Sequence, residues 1–224
     1  MSGRGLLVVM TDIPSEFEGE FNRWNDEAHM ADMLAYPGVL SARRYRIVEG
    51  RPTYQAMFDL DDPDVVNQPG YQEYVFGSNP GARPLPIAIS SAYFNTIRGV
   101  YRELLSMASC QPTDLSRGRS LLLRGLSVDP EHDQEFDEWH TTEHIPNLSR
   151  VPGVLRARRF KLNAKALRLR GEPPAYMAVY ELETREVLES NEWRRAAATP
   201  WTDRVKRFFR EPSLRNVYER IFPA

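Results

Sequence analysis

Four histidines carry the most adaptable chemistry in this chain of 224 residues: His29, His132, His140 and His144. An imidazole can take or give a proton near neutral pH, so each is a candidate for acid–base work. Two recur in matched surroundings, His29 after Trp24 and His144 after Trp139, at the same spacing. Pro146 disfavours helical geometry at Ile145, which predicts His144 in the last turn of a helix. Unsatisfied carbonyls at a helix end favour a protonated ring. That would suit a general acid or an anion anchor, with Glu143 placed to orient the ring. The plainer alternative is a helix-end histidine bonded to the next loop. Of the two sets the second is richer, because His140 and Glu143 stand where the first half has Asn25 and Ala28.

The run His140-Thr141-Thr142-Glu143-His144 also fits a zinc-protease pattern, with two imidazoles on one helix face. No cysteine or further histidine stands near it, so no metal is expected. Trp24 and Trp139 suit a core or a platform for a flat ligand. Arg44 and Arg159 lie in predicted strands, where an inward arginine would bind a carboxylate or enolate oxygen. Alternation leaves Arg43 and Arg158 as equal candidates for the inward position. Tyr101 and Tyr218 repeat in the last strand of each half and could donate a phenol hydrogen bond or pack. The candidate catalytic set is therefore His144, Glu143 and His29. The candidate binding set is His140, Trp139, Trp24, Arg44, Arg159, Tyr101 and Tyr218.

These residues are placed by a stretch that occurs twice. Phe21 to Tyr45 aligns with Phe136 to Phe160 without a gap, at a constant offset (136 − 21 = 115 and 159 − 44 = 115). The matched features are Phe, Trp, His, a Pro-Gly-Val-Leu turn and an Arg-Arg pair ahead of an aromatic. Such self-similarity predicts two copies of one structural unit. Strands are expected at Gly5–Thr11, Val39–Val48, Tyr54–Leu60 and Tyr93–Leu104, with helices at Ser15–Leu34 and Pro63–Phe76 and a long loop over Ser78–Ile89. The second half repeats the plan with strands at Ser120–Val128, Val154–Leu162, Tyr176–Leu182 and Asn216–Phe222. Its helices fall at Pro130–Ile145 and within Arg185–Phe209. Between its second and third strands it carries seven extra residues (176 − 54 = 122, against 115).

The order strand, helix, strand, strand, helix, strand is that of a ferredoxin-like unit. The organisation is thus repeat 1 over 1–105, a linker over 106–118 and repeat 2 over 119–224, in the α+β class. Apolar residues on both faces of the strands, such as Met57 and Phe58, predict that two bare sheet faces pack together. Two ferredoxin-like repeats would then form a pseudo-dimeric barrel around an internal space.

Bulk properties exclude several classes. The formal net charge is −2, with no long single-sign block, so no field for nucleic acid is present. The stretch Arg204-Val205-Lys206-Arg207 reads as a solvated face. The single cysteine, Cys110, allows no internal disulfide and fits a reducing compartment. The first apolar run is too short to cross a membrane. A cytoplasmic protein is expected.

The Trp-to-His spacing in the first helix of each half, with the Pro-Gly-led strand ending in Arg-Arg-aromatic, resembles the dimeric α/β barrel superfamily, and most closely its EthD-like branch. The resemblance spans nearly the whole chain. It implies a fold shared by muconolactone isomerases, polyketide cyclases, cofactor-free oxygenases and haem-dependent enzymes, so it does not select a reaction. The expected function is a cofactor-independent enzyme, an isomerase, cyclase or carbon–carbon lyase, moving a proton by histidine on a small aromatic or polyketide-like molecule in the barrel, as in aromatic catabolism. Two alternatives stand beside it: a non-catalytic binding or stress-related protein, and a haem- or oxygen-dependent oxidoreductase. A further pairing into a homodimer is compatible with the sequence.

Overall fold

A computed structural model describes residues 3–76, 91–108 and 117–223. The expected loop Ser78–Ile89, Cys110 and most of the linker lie outside the described residues. Eight strands close into one antiparallel barrel, in the order β1-β3-β2-β8-β5-β7-β6-β4. They are β1 Gly5–Asp12, β2 Val39–Glu49, β3 Tyr54–Leu60, β4 Phe94–Ala108, β5 Ser120–Val128, β6 Val154–Leu162, β7 Tyr176–Leu182 and β8 Phe209–Phe222. Each half supplies four adjacent strands, β4-β1-β3-β2 and β8-β5-β7-β6. The halves meet twice, where β2 pairs with β8 and where β4 pairs with β6. β4 runs three residues into the segment read as a linker, because Ser106, Met107 and Ala108 pair with β6.

Alternation along each strand separates two layers. Met57 and Val179 point into the barrel, while Phe58 and Tyr180 point out beneath the helices. The internal space expected from sequence is filled. Leu6, Val8, Met10, Tyr45, Tyr101, Leu121, Leu123, Phe160, Met177 and Tyr218 pack there, all buried. Eight strands leave an interior about wide enough for side chains alone, and six of these fillers are aromatic or methionine. Tyr101 lies so close over Gly99 that a Cβ there would fall 2.4 Å from the ring.

One end of the interior is ionic. Arg43 and Arg158 both reach Asp59, Arg158 Nη2 also donates to Glu181 Oε1 at 3.0 Å, and Arg156 does so at 2.7 Å. Burial alone would raise the Asp59 carboxyl, but Arg158 and Arg43 outweigh it and hold it well below the usual range. Asp59 and Glu181 occupy matched positions in β3 and β7 (181 − 59 = 122), so the cluster ties the halves together.

The helical layer packs on the outer face. In the first half α1 Ser15–Trp24 runs through a π-turn, Asn25–His29, into α2 Met30–Ala35. A 3-10 turn at Pro63–Asn67 and α3 Pro69–Phe76 follow β3. In the second half α4 Asp133–Trp139 passes through a π-turn, His140–His144, into α5 Ile145–Ser149. A 3-10 turn at Arg185–Glu189, α6 Asn191–Ala197 and α7 Pro200–Val205 complete the layer. The two Pro-Gly turns share a cause: Gly38 and Gly153 adopt φ of 94° and 86°, a region side chains disfavour. Among the described residues no helix is long and apolar enough to cross a membrane.

Candidate functional site

The second half holds a cavity of about 270 Å³ between the outer face of β5, β7 and β8 and the helices above. Its walls include Trp139, His140, His144, Tyr180, Trp193 and Arg124. It therefore lies outside the barrel wall, and the expectation of a chamber between the two sheets is corrected. The interior is full because both halves point large side chains inward, so the free space falls where helix meets strand.

The π-turn brings the imidazoles to this cavity. A π-turn inserts an extra residue into a helix and is a frequent mark of functional sites. Arg159 braces it from β6: Nη1 donates to Thr141 Oγ1 at 2.5 Å and to the Asp137 carbonyl at 3.3 Å, and Nη2 lies 2.8 Å from Asp137 Oδ1. Arg44 braces the first half alike, reaching Asp26 and donating from Nη2 to Asn22 Oδ1 at 2.7 Å. The inward arginines are therefore Arg43 and Arg158, and Arg44 and Arg159 point to the outer layer, where they hold helices to the sheet.

The helix does not stop at His144. Pro146 falls in the first turn of α5, where its missing N–H is tolerated. His144 thus has no free helix end beside it, and the predicted protonated ring is corrected. Burial, then Arg124 and Lys206, push His144 down to about 3. His140 is pushed well below its ordinary value by burial and then by His144, Arg159 and Arg124. Both rings are neutral at pH 7. The Nδ1 atoms of both are buried, with no hydrogen-bond partner among the described residues.

Trp139 covers the two rings, with centroids 4.4 Å from His144 and 5.1 Å from His140. A hydrogen-bond chain fixes it. Trp139 Nε1 donates to Thr202 Oγ1 at 3.1 Å, Thr202 and Thr199 hydroxyls are 2.9 Å apart, and Thr199 Oγ1 donates to Glu143 at 2.5 Å. Because the one Thr199 hydroxyl proton goes to Glu143, Thr202 gives its own proton to Thr199 and is left to accept from Trp139. Glu143 thus turns away from the cavity and acts on Trp139 through two threonines. Its direction also removes it from any zinc site with His140 and His144. Among the described residues no group of three His, Cys, Asp or Glu side chains could hold a metal.

The remaining candidates lie elsewhere. His29 sits in the first half, stacked on Trp24 at 4.4 Å and pushed down to about 4 by burial and then by Arg44. Tyr101 and Tyr218 face the barrel interior. Tyr218 Oη accepts from Asn216 Nδ2 at 2.8 Å, and Tyr101 Oη has no partner among the described residues. Neither meets the imidazoles, because their strand positions point inward.

Sequence reasoning passed over Arg124. It interrupts an otherwise apolar strand at the position of Val9 (124 − 9 = 115), and a cation there was a readable signal. Lys206, read from sequence as part of a solvated face, is largely exposed but also lines the cavity.

A haem would find suitable donor types here, neutral imidazoles and nearby cations. The room does not fit: about 270 Å³ falls short of the ~300–1,000 Å³ usual for ligand pockets, and a macrocycle needs more than the minimum.

No protein-family profile matches the sequence, and neither does any curated protein. Solved structures do match in shape. An anthrone oxidase-like protein superposes with a TM-score of 0.65 at 14% identity, over 99% of this chain and 92% of its own. A proposed monooxygenase from Lactobacillus acidophilus NCFM gives 0.60 at 10% identity, over 97% and 94%. A mutant chlorite dismutase from Candidatus Nitrospira defluvii, in complex with cyanide, gives 0.56 at 12% identity, over 97% and 91%. At these identities the likeness shows the fold alone: an α+β chain with a closed eight-stranded antiparallel barrel, consistent with the dimeric α/β barrel fold.

Proposed function

We propose that the chain is an enzyme in which His144 takes a proton from a small aromatic or polyketide-like molecule held in the second-half cavity. The observation that carries this is a neutral, buried imidazole on the wall of an aromatic-lined pocket. A ring that holds no spare proton acts as base rather than acid. Trp139 and Tyr180 supply flat walls for a ring system, and the π-turn with Arg159 holds the base in place. No cofactor is needed for this step, so isomerisation, cyclisation and carbon–carbon cleavage are all open to the resulting carbanion or enolate.

A second reading is oxidative, and the anthrone oxidase-like and proposed monooxygenase likenesses favour it. After proton removal the carbanion passes electrons to dioxygen. A methylene becomes a carbonyl, with one oxygen atom retained and the other leaving as water, so atoms and electrons balance. The same reading takes the halves as copies of one ferredoxin-like unit, closest to the EthD-like branch, in a cytoplasmic protein able to pair as a homodimer. The constant offset of 115 and the matched pairing order of the strands support the duplication.

The test is deuterium exchange from solvent into weak carbon acids such as anthrone, followed by mass spectrometry under nitrogen and then in air. Enzyme-dependent exchange that vanishes in His144→Ala is expected. Oxygen uptake in air would select the oxidative branch. Binding without exchange in any member of the panel would replace catalysis by a binding role.

A further inference from the structure

Arg124 is the one feature of the cavity that proton transfer leaves unexplained. Its guanidinium donates from Nη1 to the Leu214 carbonyl at 3.1 Å, and it has no acidic partner among the described residues. Across the β5–β8 ladder it stands directly opposite Arg215, and both line the cavity. Like charges in facing positions destabilise a sheet. Lys206 adds a third cation, while among the described residues no Asp or Glu lines the space. Arg215 and Lys206 have carboxylates outside the cavity, Glu49 at 2.5 Å and Asp203 at 3.3 Å. Arg124 has none.

The first half shows what the frame does without this demand. Val9 stands in the place of Arg124, opposite Arg98. Arg98 Nη1 is satisfied by the carbonyls of Leu167 and Arg168 at 2.9 and 3.0 Å. The fold therefore has no structural need of an arginine at position 124. A partly buried cation facing another cation, with most of its donors uncommitted, suits an acceptor brought from outside.

We propose that the ligand of this cavity carries a resting oxyanion, a carboxylate on an aromatic or polyketide-like skeleton, and that Arg124 receives it. The inference names the substrate class for the proton-transfer reading and rests on that reading's cavity, although its test requires no turnover. It also supplies a step that the proton transfer needs. Burial, and after it Arg124 and Lys206, suppress the basicity of His144, so a carboxylate paired with Arg124 offsets the smaller, cationic part of that suppression as the ligand enters.

The probes are 2-naphthoate and its uncharged carboxamide, titrated calorimetrically. Wild type should prefer the carboxylate by about tenfold or more, as expected of a charge-assisted contact. Arg124→Gln and Arg124→Val should abolish the preference while leaving carboxamide binding within about twofold, and Arg124→Lys should restore part of it. Arg124→Val should also melt higher than wild type, because it removes the facing cation. His144→Ala should keep the preference even if exchange chemistry fails, which separates this proposal from the catalytic one. Equal binding of the two probes, no carboxylate binding at millimolar concentration, or a preference that survives both Arg124→Gln and Arg124→Val would overturn it.

Discussion

The two halves share a frame and differ in what lies between strand and helix. Each has a π-turn, a histidine beside a tryptophan, and a strand arginine that braces the helix. In the first half the loop between β6 and β7 reaches across and packs against the outer layer. Ala166 joins the apolar cluster with Leu7 and Tyr71, and Leu167 N–H donates to Asn67 Oδ1 at 2.8 Å. That loop contains the seven extra residues. Its counterpart in the first half is a tight turn at Gly50, too short to cover the second-half cavity in the same way. Among the described residues the inserted loop therefore lies on the outer layer of the first half, and the cavity described above on that of the second.

The sharpest break of this comparison is a pair of variants. His144→Ala should lower turnover by about 10²–10⁴-fold, the usual worth of a positioned general base, while His29→Ala should leave it within about twofold. Steady-state kinetics on whichever carbon acid shows exchange decides it, and equal losses would mean that the halves work together.

A smaller effect is expected where the halves are alike. Asp59→Asn and Glu181→Gln each leave Arg158 short of a buried partner and should each cost about 3–5 kcal/mol. Denaturant melts of the two should shift similarly. A large difference between them would show that the ionic end of the barrel is less symmetric than its contacts.

Acid should act on both halves. Folded His29 titrates at about 4 and His144 at about 3, against 6.5 for a free imidazole. Between those values the unfolded chain binds more protons. These groups therefore contribute fully above pH 6.5, and stability falls as pH drops below it, by up to about 1.4 kcal/mol per pH unit for each ring. Melts of wild type, His29→Phe and His144→Phe from pH 7 to 4 should show each variant losing part of the slope.

The smallest effect tests the support of Trp139. Thr202→Val removes its acceptor and should cost about 1 kcal/mol. Indole fluorescence would report a loosened ring, and turnover should fall less than in His144→Ala.

Much of the frame was legible in the residues. Alternation placed β3, β5, β6 and β7 at their observed limits. The π-turns were not legible, because one extra residue inside a helix leaves the apolar spacing almost intact. For the same reason Pro146 read as a stop, although it only marks a new first turn. The filled barrel followed from side-chain size, as Tyr45, Tyr101, Phe160 and Tyr218 all point inward, but only the closed strand order shows that they share one space. Of the residues that line the cavity, His140, His144 and Trp139 stood out by motif. Arg124 was missed because a lone arginine in a strand looks like a surface residue until its facing partner is known.

Both seams of the barrel join strands from different halves, and one of them brings β2 against β8 near the end of the chain. During synthesis the first four strands leave the ribosome long before that partner exists, with two open edges ready to pair with any neighbouring chain. Contacts so distant along the sequence also close slowly. Expression yield and refolding efficiency should therefore depend on how those edges are shielded until the last strand docks. Chaperone demand is a direct consequence of where the circle is closed.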